Sequence, residues 1–542
     1  MNSRKQVNLF KRRSIILGGV QGVLLTGLLG RLINLQIFNS NHYQLLSDKN
    51  RLQLRLLQAP RGYILDRNGY QIASNQSLYS CLIIPSADIS FSDTLVKLEG
   101  ILSLSSRDKK TIESQLKSRI TIGVLVKENL SWEEMALLEL NLPELPGLII
   151  EKGLIRKYLN PESFCHAVGY VSRVSNNDDR SKLPPIPNLR IGKIGVEKIF
   201  ENKLAGVPGS QQVEINARRQ VVKVLDSMTA VNGDPLNLSL DFKLQQKVVE
   251  LLSEHRSAAA SVMDLNTGEI LAFVSHPGYN TNLFVSGIEN KEWKNLLNHP
   301  DQPLINKLVS GLYSPGSTFK MMVALATLRK NVVNHKARFY CPGYFEFGNR
   351  RFHCWNWRYG GHGHVDMESA LSKSCDIYFY NVALMMGMEP ICEVAEMFGF
   401  SKATGIETTG EKSGLLPNRG SFLNLFKKGQ KGHVLNLSIG QGAILSTPVQ
   451  LLQMIGTLAK GYKVKPTLIK NGNKQNEFSK ELIIPQEHLD IVRRGMEGVV
   501  REGGTAFNSR IGIDKLEMAG KTGTTQVSKI TMSQRKDGSY KN

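Results

Sequence analysis

At 542 residues the chain exceeds one ordinary domain, and two or three are expected. Hydrophobic residues make up 41% and charged residues 21%, which excludes a disordered chain, and six cysteines are too few for a disulfide-rich scaffold. The formal net charge of +21 suits an anionic surface or an acidic polymer, but Lys and Arg are spread along the whole chain without a zinc-finger, RRM or helix-turn-helix pattern, so no nucleic-acid partner is expected.

Residues 1–13 are polar and basic, with Arg4, Lys5, Lys11, Arg12 and Arg13, and read as a cytoplasmic tail. A run of 17 uncharged residues follows from Ser14 to Gly30, and apolar character continues through Ile37 and Phe38. This predicts a single transmembrane anchor over 14–38, inserted with its N-terminus inside. A cleaved signal peptide is the alternative; no A-x-A-like site follows the run, which favours an uncleaved anchor, with the bulk of the chain outside the cytoplasmic membrane.

Residues 39–230 are rich in β-branched residues and turns and are expected to form a pedestal. Ala59 to Gly69 reads as strand, turn, strand, with Asn68-Gly69 as the hairpin signal. Arg61, Asp66 and Arg67 either form ion pairs that fix a domain root or lie on a solvated hairpin edge. The region 94–145 reads as helical, and the segment from Gly192 to Gly209 as a turn-rich module. No nucleophile–base pairing is visible here, so a spacer and docking surface is expected.

The texture changes near residue 231, where a domain over 231–542 is expected to begin. Leu236 to Asp241 reads as a strand and 242–254 as a helix. Ala258–Asp264 and Glu269–Ser275 flank Asn266-Thr267-Gly268, a hairpin pattern. Helices and Gly-rich loops then run to about 460, before a late strand. The order predicts an α+β fold, with helices on both faces of an antiparallel sheet.

Three short stretches in this half carry chemistry. Pro315-Gly316 breaks the chain before a helix-forming run, which places Ser317 in a first turn and Lys320 one turn later on the same face. A serine needs a neighbouring base to become a nucleophile, and a desolvated lysine amine in reach of the hydroxyl supplies one. Free N–H groups at a helix start suit an oxyanion. Ser374-Cys375-Asp376 falls at a break between two helical stretches; Ser374 can relay a proton and Asp376 can hold a substrate amide or the lysine, although a helix N-cap has the same pattern. Glu517 to Val527 reads as a strand, along which Lys521 and Thr522 offer donors to a carboxylate and Gly520 and Gly523 leave room for a substrate backbone.

Each stretch alone is weak. Their order, with Ser374 57 residues after Ser317 and Lys521 147 residues further on, is specific. The trio, the anchor, Pro60-Arg61-Gly62, the Gly195–Gly209 module and Gly440-Gln441-Gly442 together resemble the class B penicillin-binding proteins, in particular the elongation-specific D,D-transpeptidases grouped as penicillin-binding protein 2. The resemblance implies that Ser317 attacks the D-Ala-D-Ala carbonyl of a peptidoglycan stem peptide, with Lys320 as base and Ser374 as relay. It implies an oxyanion hole from the N–H groups of Ser317 and Thr524, and a carboxylate site at Lys521, Thr522, Gly523 and Thr524. An amine from a neighbouring chain resolves the acyl-enzyme, and β-lactams acylate the same serine. Expected partners are stem peptides, β-lactams, a SEDS-type glycan polymerase and other elongation-complex proteins. A D,D-carboxypeptidase or β-lactamase fits less well with the long pedestal.

Cys341, Cys354, His362 and Cys375 bracket the loop between the first two motifs, and three thiolates with an imidazole suit tetrahedral zinc. Some members of the family carry zinc there. Buried free cysteines or a Cys341–Cys354 disulfide are the alternatives, and His353 and His364 are competing ligands. Cys81, Cys165 and Cys392 are expected to be buried. The chemistry itself requires no cofactor. Family members continue after the K-T-G strand with two more strands and a helix, whereas Asn542 comes 19 residues after Gly523. An incomplete, truncated sheet is therefore expected, with a catalytically impaired scaffold that activates the glycan polymerase as the alternative role.

Overall fold

The computed structural model describes residues 3–39, 51–83, 91–117 (except 103 and 105), 124–215 (except 146, 176 and 187), 221–417, 430–470 and 484–525 (except 514). The chain opens with a helix over Ser3–Ile33 that widens into a π-helical turn over Asn34–Phe38. Ile15–Phe38 forms a 24-residue apolar span, none of it packed against the rest of the molecule. At about 1.5 Å per residue such a helix exceeds the ~30 Å of a bilayer core.

Two sheets follow. Strand β1 (Leu52–Leu57), with β8 (Gly209–Ile215) and β9 (Val221–Met228), forms a three-stranded antiparallel sheet in the order β1-β8-β9. The larger sheet is built on β3 (Gln71–Ile83), which pairs along its length with β5 (Leu148–Tyr158). Its other edge takes β2 (Ile64–Leu65) at one end and β4 (Val124–Glu128) at the other, while β6 (Val171–Arg173) and β7 (Arg190–Gly192) form a separate antiparallel pair. The expected hairpin at Asn68-Gly69 is present: Gly69 adopts φ +89°, and Asp66 Oδ1 accepts the N–H groups of Asn68 and Tyr70. The expected run of helix over 94–145 is corrected. Helices Phe91–Leu102 and Ser106–Lys117 are separated from Trp132–Asn141 by β4. Val124 and Val126 of that strand alternate into a core with Leu95, Leu98, Leu102 and Leu138, so period-two burial prevails over the surrounding helical propensity.

The expected strand over Leu236–Asp241 shrinks to β10 (Leu236–Asn237), which pairs parallel to β2 and joins the two halves of the chain in one sheet. Asp241 instead caps the helix Phe242–Leu252, accepting the N–H of Leu244. An apolar cluster crosses the same junction. Ile64, Ile72, Tyr158, Phe164 and Val196 pack with Ile270, Phe273, Val285, Leu308 and Val449. Beneath it, the fully buried Glu197 carboxylate lies 2.7 Å from both Arg61 Nε and Arg156 Nε, and accepts the Tyr158 hydroxyl at 3.1 Å. Arg61 thus forms the expected ion pairs at the root, with Glu201 as its second partner.

In the C-terminal half, β11 (Ala258–Met263) and β12 (Ile270–His276) form the expected antiparallel hairpin. They are the only ladder of that sheet among the described residues. The expected strand over Glu517–Val527 is corrected: its described residues, through Thr525, adopt no strand. Gln526, Val527 and the tail to Asn542 lie outside the described residues. The core of this half is the helix Lys320–Arg329, buried from Lys320 through Leu328. It packs against Asp376–Met386, Glu389–Met397 and Gln486–Val500.

Candidate active site

The turn before Ser317 is set by glycines. Gly316 adopts φ +58°, and a Cβ there would lie 2.7 Å from Thr524 O. Its N–H donates to Gly440 O at 2.9 Å, and a Cβ on Gly440 would lie 2.1 Å from Gly316 O. Only glycine tolerates that backbone and that approach. One turn of 3-10 helix, Gly316–Phe319, then feeds the buried helix, so Ser317 stands in the first turn as expected, at a half-buried position.

Lys320 is fully buried, but its amine does not spend its hydrogen bonds on Ser317. It donates to Ser374 O at 2.9 Å, to Ser374 Oγ at 3.2 Å and to Asp376 Oδ1 at 2.6 Å. An ammonium has three donors, and all three are used. Ser374 adopts φ +51° between helices Met367–Ser372 and Asp376–Met386. A non-glycine residue in that region is strained, and here the strain aims both Ser374 oxygens at the lysine. The N-cap alternative does not hold. Cys375 occupies the cap position without a side-chain bond, while Ser374 and Asp376 turn towards Lys320. Asp376 Oδ2 accepts the Trp355 backbone N–H at 3.2 Å. Burial pushes the Asp376 carboxyl above its ordinary range, and the Lys320 ammonium opposes this.

The K-T-G segment leans on the Ser317 turn rather than on a sheet. Thr525 Oγ1 donates to Ser314 O at 2.9 Å, and a Cβ on Gly523 would meet Thr318 Cγ2 at 3.1 Å. Thr522 and Thr505 hydroxyls lie 3.0 Å apart, and Lys521 Nζ donates to Thr522 O at 3.2 Å. Burial, with Lys320 nearby, lowers the Lys521 pKa to about 7, and Asp376 opposes the shift. Thr524 is exposed at the rim.

Cys341, Cys354, His362 and Cys375 converge, with all four donor atoms within 4.8 Å of one another. His362 Nδ1 lies 3.7 Å from Cys341 Sγ and 3.5 Å from Cys354 Sγ. Around a tetrahedral zinc the S···N edge is about 3.6 Å, so the donor set fits the ion. Every cysteine is a free thiol, which excludes the Cys341–Cys354 disulfide from this structure. His353 packs on Trp357 and His364 on Tyr340, outside the cluster. Cys81, Cys165 and Cys392 are buried as expected. Trp355 and Thr505 escaped sequence reasoning. The one available signal was a tryptophan directly after Cys354 in a loop otherwise rich in Gly and Arg.

The profile of the penicillin binding protein transpeptidase domain matches residues 258–541, more than half of the chain, and that of the penicillin-binding protein dimerisation domain matches 56–238. The chain belongs to the penicillin-binding protein family. It is 35% identical to the peptidoglycan D,D-transpeptidase MrdA of Acinetobacter baumannii over 98% of this chain and 80% of that one. To MrdA of Escherichia coli it is 32% identical, over 96% and 84%. Among solved structures it resembles penicillin-binding protein 2 of Helicobacter pylori in complex with MreC, with a TM-score of 0.78 at 29% identity over 88% of this chain and 90% of that one. A chain of a peptidoglycan synthase complex that couples polymerization and crosslinking superposes with a TM-score of 0.67 at 27% identity, over 95% and 88%. The α+β architecture, with a dimerisation-type region ahead of the transpeptidase region, is therefore that of penicillin-binding protein 2.

Proposed function

We propose that this penicillin-binding protein is a peptidoglycan D,D-transpeptidase of the elongation type, working through a serine acyl-enzyme. The observation that carries the reading is the buried Lys320, bonded to both Ser374 and Asp376 at the foot of the helix that Ser317 begins. Ser317 Oγ forms an ester with the D-Ala-D-Ala carbonyl carbon, the bond to the terminal D-Ala nitrogen breaks, and the serine proton ends on that leaving amine. Lys320 and Ser374 Oγ, 3.2 Å apart, carry the proton. The N–H groups of Ser317 and Thr524 hold the oxyanion. Lys521, Thr522 and Thr524 hold the donor carboxylate, and Gly523 leaves room for its backbone. An amine of a second stem peptide then takes the acyl group. Penicillins enter as donors whose acyl-enzyme persists.

Cys341, Cys354, His362 and Cys375 are the residues that would hold a zinc ion. When bound, it would cross-link the loop to the Ser374–Asp376 segment and play no part in the reaction. Elemental analysis should find about one zinc per chain, lost in Cys354→Ser. We read the apolar helix as an inner-membrane anchor with its N-terminus inside, residues 39–230 as the pedestal, and 231–542 as the catalytic domain. One relative's complex with MreC, and another's place in a peptidoglycan synthase complex that coordinates polymerization and crosslinking, support assembly with an MreC-like protein and with a glycan polymerase, which we read as the SEDS type.

The test is labelling of the membrane-inserted protein with a fluorescent penicillin. A covalent band that disappears in Ser317→Ala is expected. A folded wild-type protein that takes no label would sink the catalytic reading and leave the scaffold role.

A further inference from the structure

The loop between the Ser317 helix and Ser374 folds as two short antiparallel pairs, Phe339–Cys341 with Gly363–Val365 and Tyr344–Phe347 with Arg350–His353. Its surface carries aromatic rings. Two of them already hold an alkyl-borne cation: Arg351 Cζ lies 4.4 Å from the Tyr344 centroid, and Arg358 Cζ lies 5.3 Å from the Trp357 centroid.

Trp355 is held differently. Its indole N–H donates to Lys373 O at 2.9 Å, and its backbone N–H donates to Asp376 Oδ2 at 3.2 Å. Asp376 Oδ1 binds Lys320, so a single carboxylate separates the Trp355 backbone from the buried amine. The His362 ring packs on the indole with centroids 5.4 Å apart, yet the residue remains 55% exposed. Core packing does not account for a large ring held by its own N–H, on a backbone tied to Asp376, in a residue more than half exposed.

We infer that the indole of Trp355 is the platform for the acyl acceptor, receiving the methylene chain that carries the attacking amine. The inference rests on the transpeptidase reading above. An amine carried on a methylene stem shares the chemistry of the arginine stems on Tyr344 and Trp357. An indole face accommodates both parts, the stem by apolar contact and the cation by attraction to the π system. The donor carboxylate has its own cation in Lys521. Once seated, the ammonium releases one proton to solvent, and its nitrogen bonds to the acyl carbonyl carbon. The ester bond to Ser317 Oγ breaks, and a second proton passes from the nitrogen to that oxygen, restoring the serine.

The experiment uses the full-length chain, acylated by a thioester of an N-acyl-D-alanine. Product is partitioned between water and one of two amines, a synthetic peptide with an amine on a four-carbon side chain or glycinamide. Trp355→Ala should lower the aminolysis-to-hydrolysis ratio about tenfold for the long-chain amine. Its ratio for glycinamide should stay within about twofold. Trp355→Phe keeps a ring face but not the N–H that binds Lys373 O, and should recover most of the ratio. An unchanged ratio in Trp355→Ala, an equal fall for both amines, or a Phe variant as poor as Ala would each overturn the platform. If the wild-type chain takes no Ser317-dependent penicillin label, the catalytic reading fails and the platform with it. A labelled wild type with an indifferent Trp355 sinks the platform alone.

Discussion

The molecule holds two buried ion clusters of similar composition and opposite character. At the pedestal root, Glu197 is fully buried between Arg61 and Arg156, with Tyr158 and Glu201 completing the network. Burial alone would raise the Glu197 carboxyl, but the two guanidiniums outweigh it and hold it below its ordinary range. At the Ser317 site, Lys320 is equally buried, yet its partners are one carboxylate, one carbonyl and one hydroxyl. Guanidiniums do not give up protons, so the root is a static clamp. An amine beside a hydroxyl offers a proton a path, and burial lowers the neighbouring Lys521 pKa to about 7. The difference teaches that two clusters of equal burial differ in whether a proton can move: fixed guanidiniums hold theirs, a lysine beside a serine need not.

The sharpest way to break this comparison is to remove the two central charges in turn. Lys320→Ala should slow penicillin acylation by about 10²–10⁴-fold, the usual worth of a positioned proton-transfer group, as read from the second-order labelling rate. Glu197→Ala should leave the labelling rate per folded molecule unchanged, but cost about 3–5 kcal/mol of stability in denaturant titration, because the buried Arg156 loses its counter-charge and Arg61 keeps only Glu201. If Glu197→Ala slows acylation while stability holds, the root is not a static clamp.

A smaller effect sharpens the contrast through pH. In the proposed mechanism the donor carboxylate is held by a charged Lys521, whose pKa burial lowers to about 7. The charged fraction therefore falls as pH rises through 7, and the second-order acylation rate should fall about tenfold per pH unit above it. Lys521→Arg keeps its charge and should flatten that limb. A wild-type rate that climbs steadily from pH 7 to 9 would contradict the assignment.

Much of the architecture was legible in the residues. The uncharged run after Arg13, the Asn68-Gly69 turn, the hairpin around Asn266-Thr267-Gly268 and the helix after Pro315-Gly316 all stand where local chemistry puts them. The four zinc-type ligands also converge as the residue types suggested. Other features were not legible. The apolar alternation of β4 was hidden inside a helical-looking stretch, because five residues are too few to carry a period against their neighbours. The segment around Lys521 has strand-like composition, yet a strand exists only where a ladder partner lies alongside, and here its neighbours are the Ser317 turn and Met496.

What the sequence determined by itself is therefore local: where helices start, which turns require glycine, and which residue types are capable of the chemistry. Tertiary structure alone decided that Lys320 turns to Ser374 and Asp376, that Arg156 joins Arg61 on Glu197, and that Trp355 stands exposed beside Asp376. Those contacts join residues from 21 to 136 positions apart along the chain. Whether they form depends on how the burial of whole helices and sheets brings distant backbones together, which no local window of sequence contains.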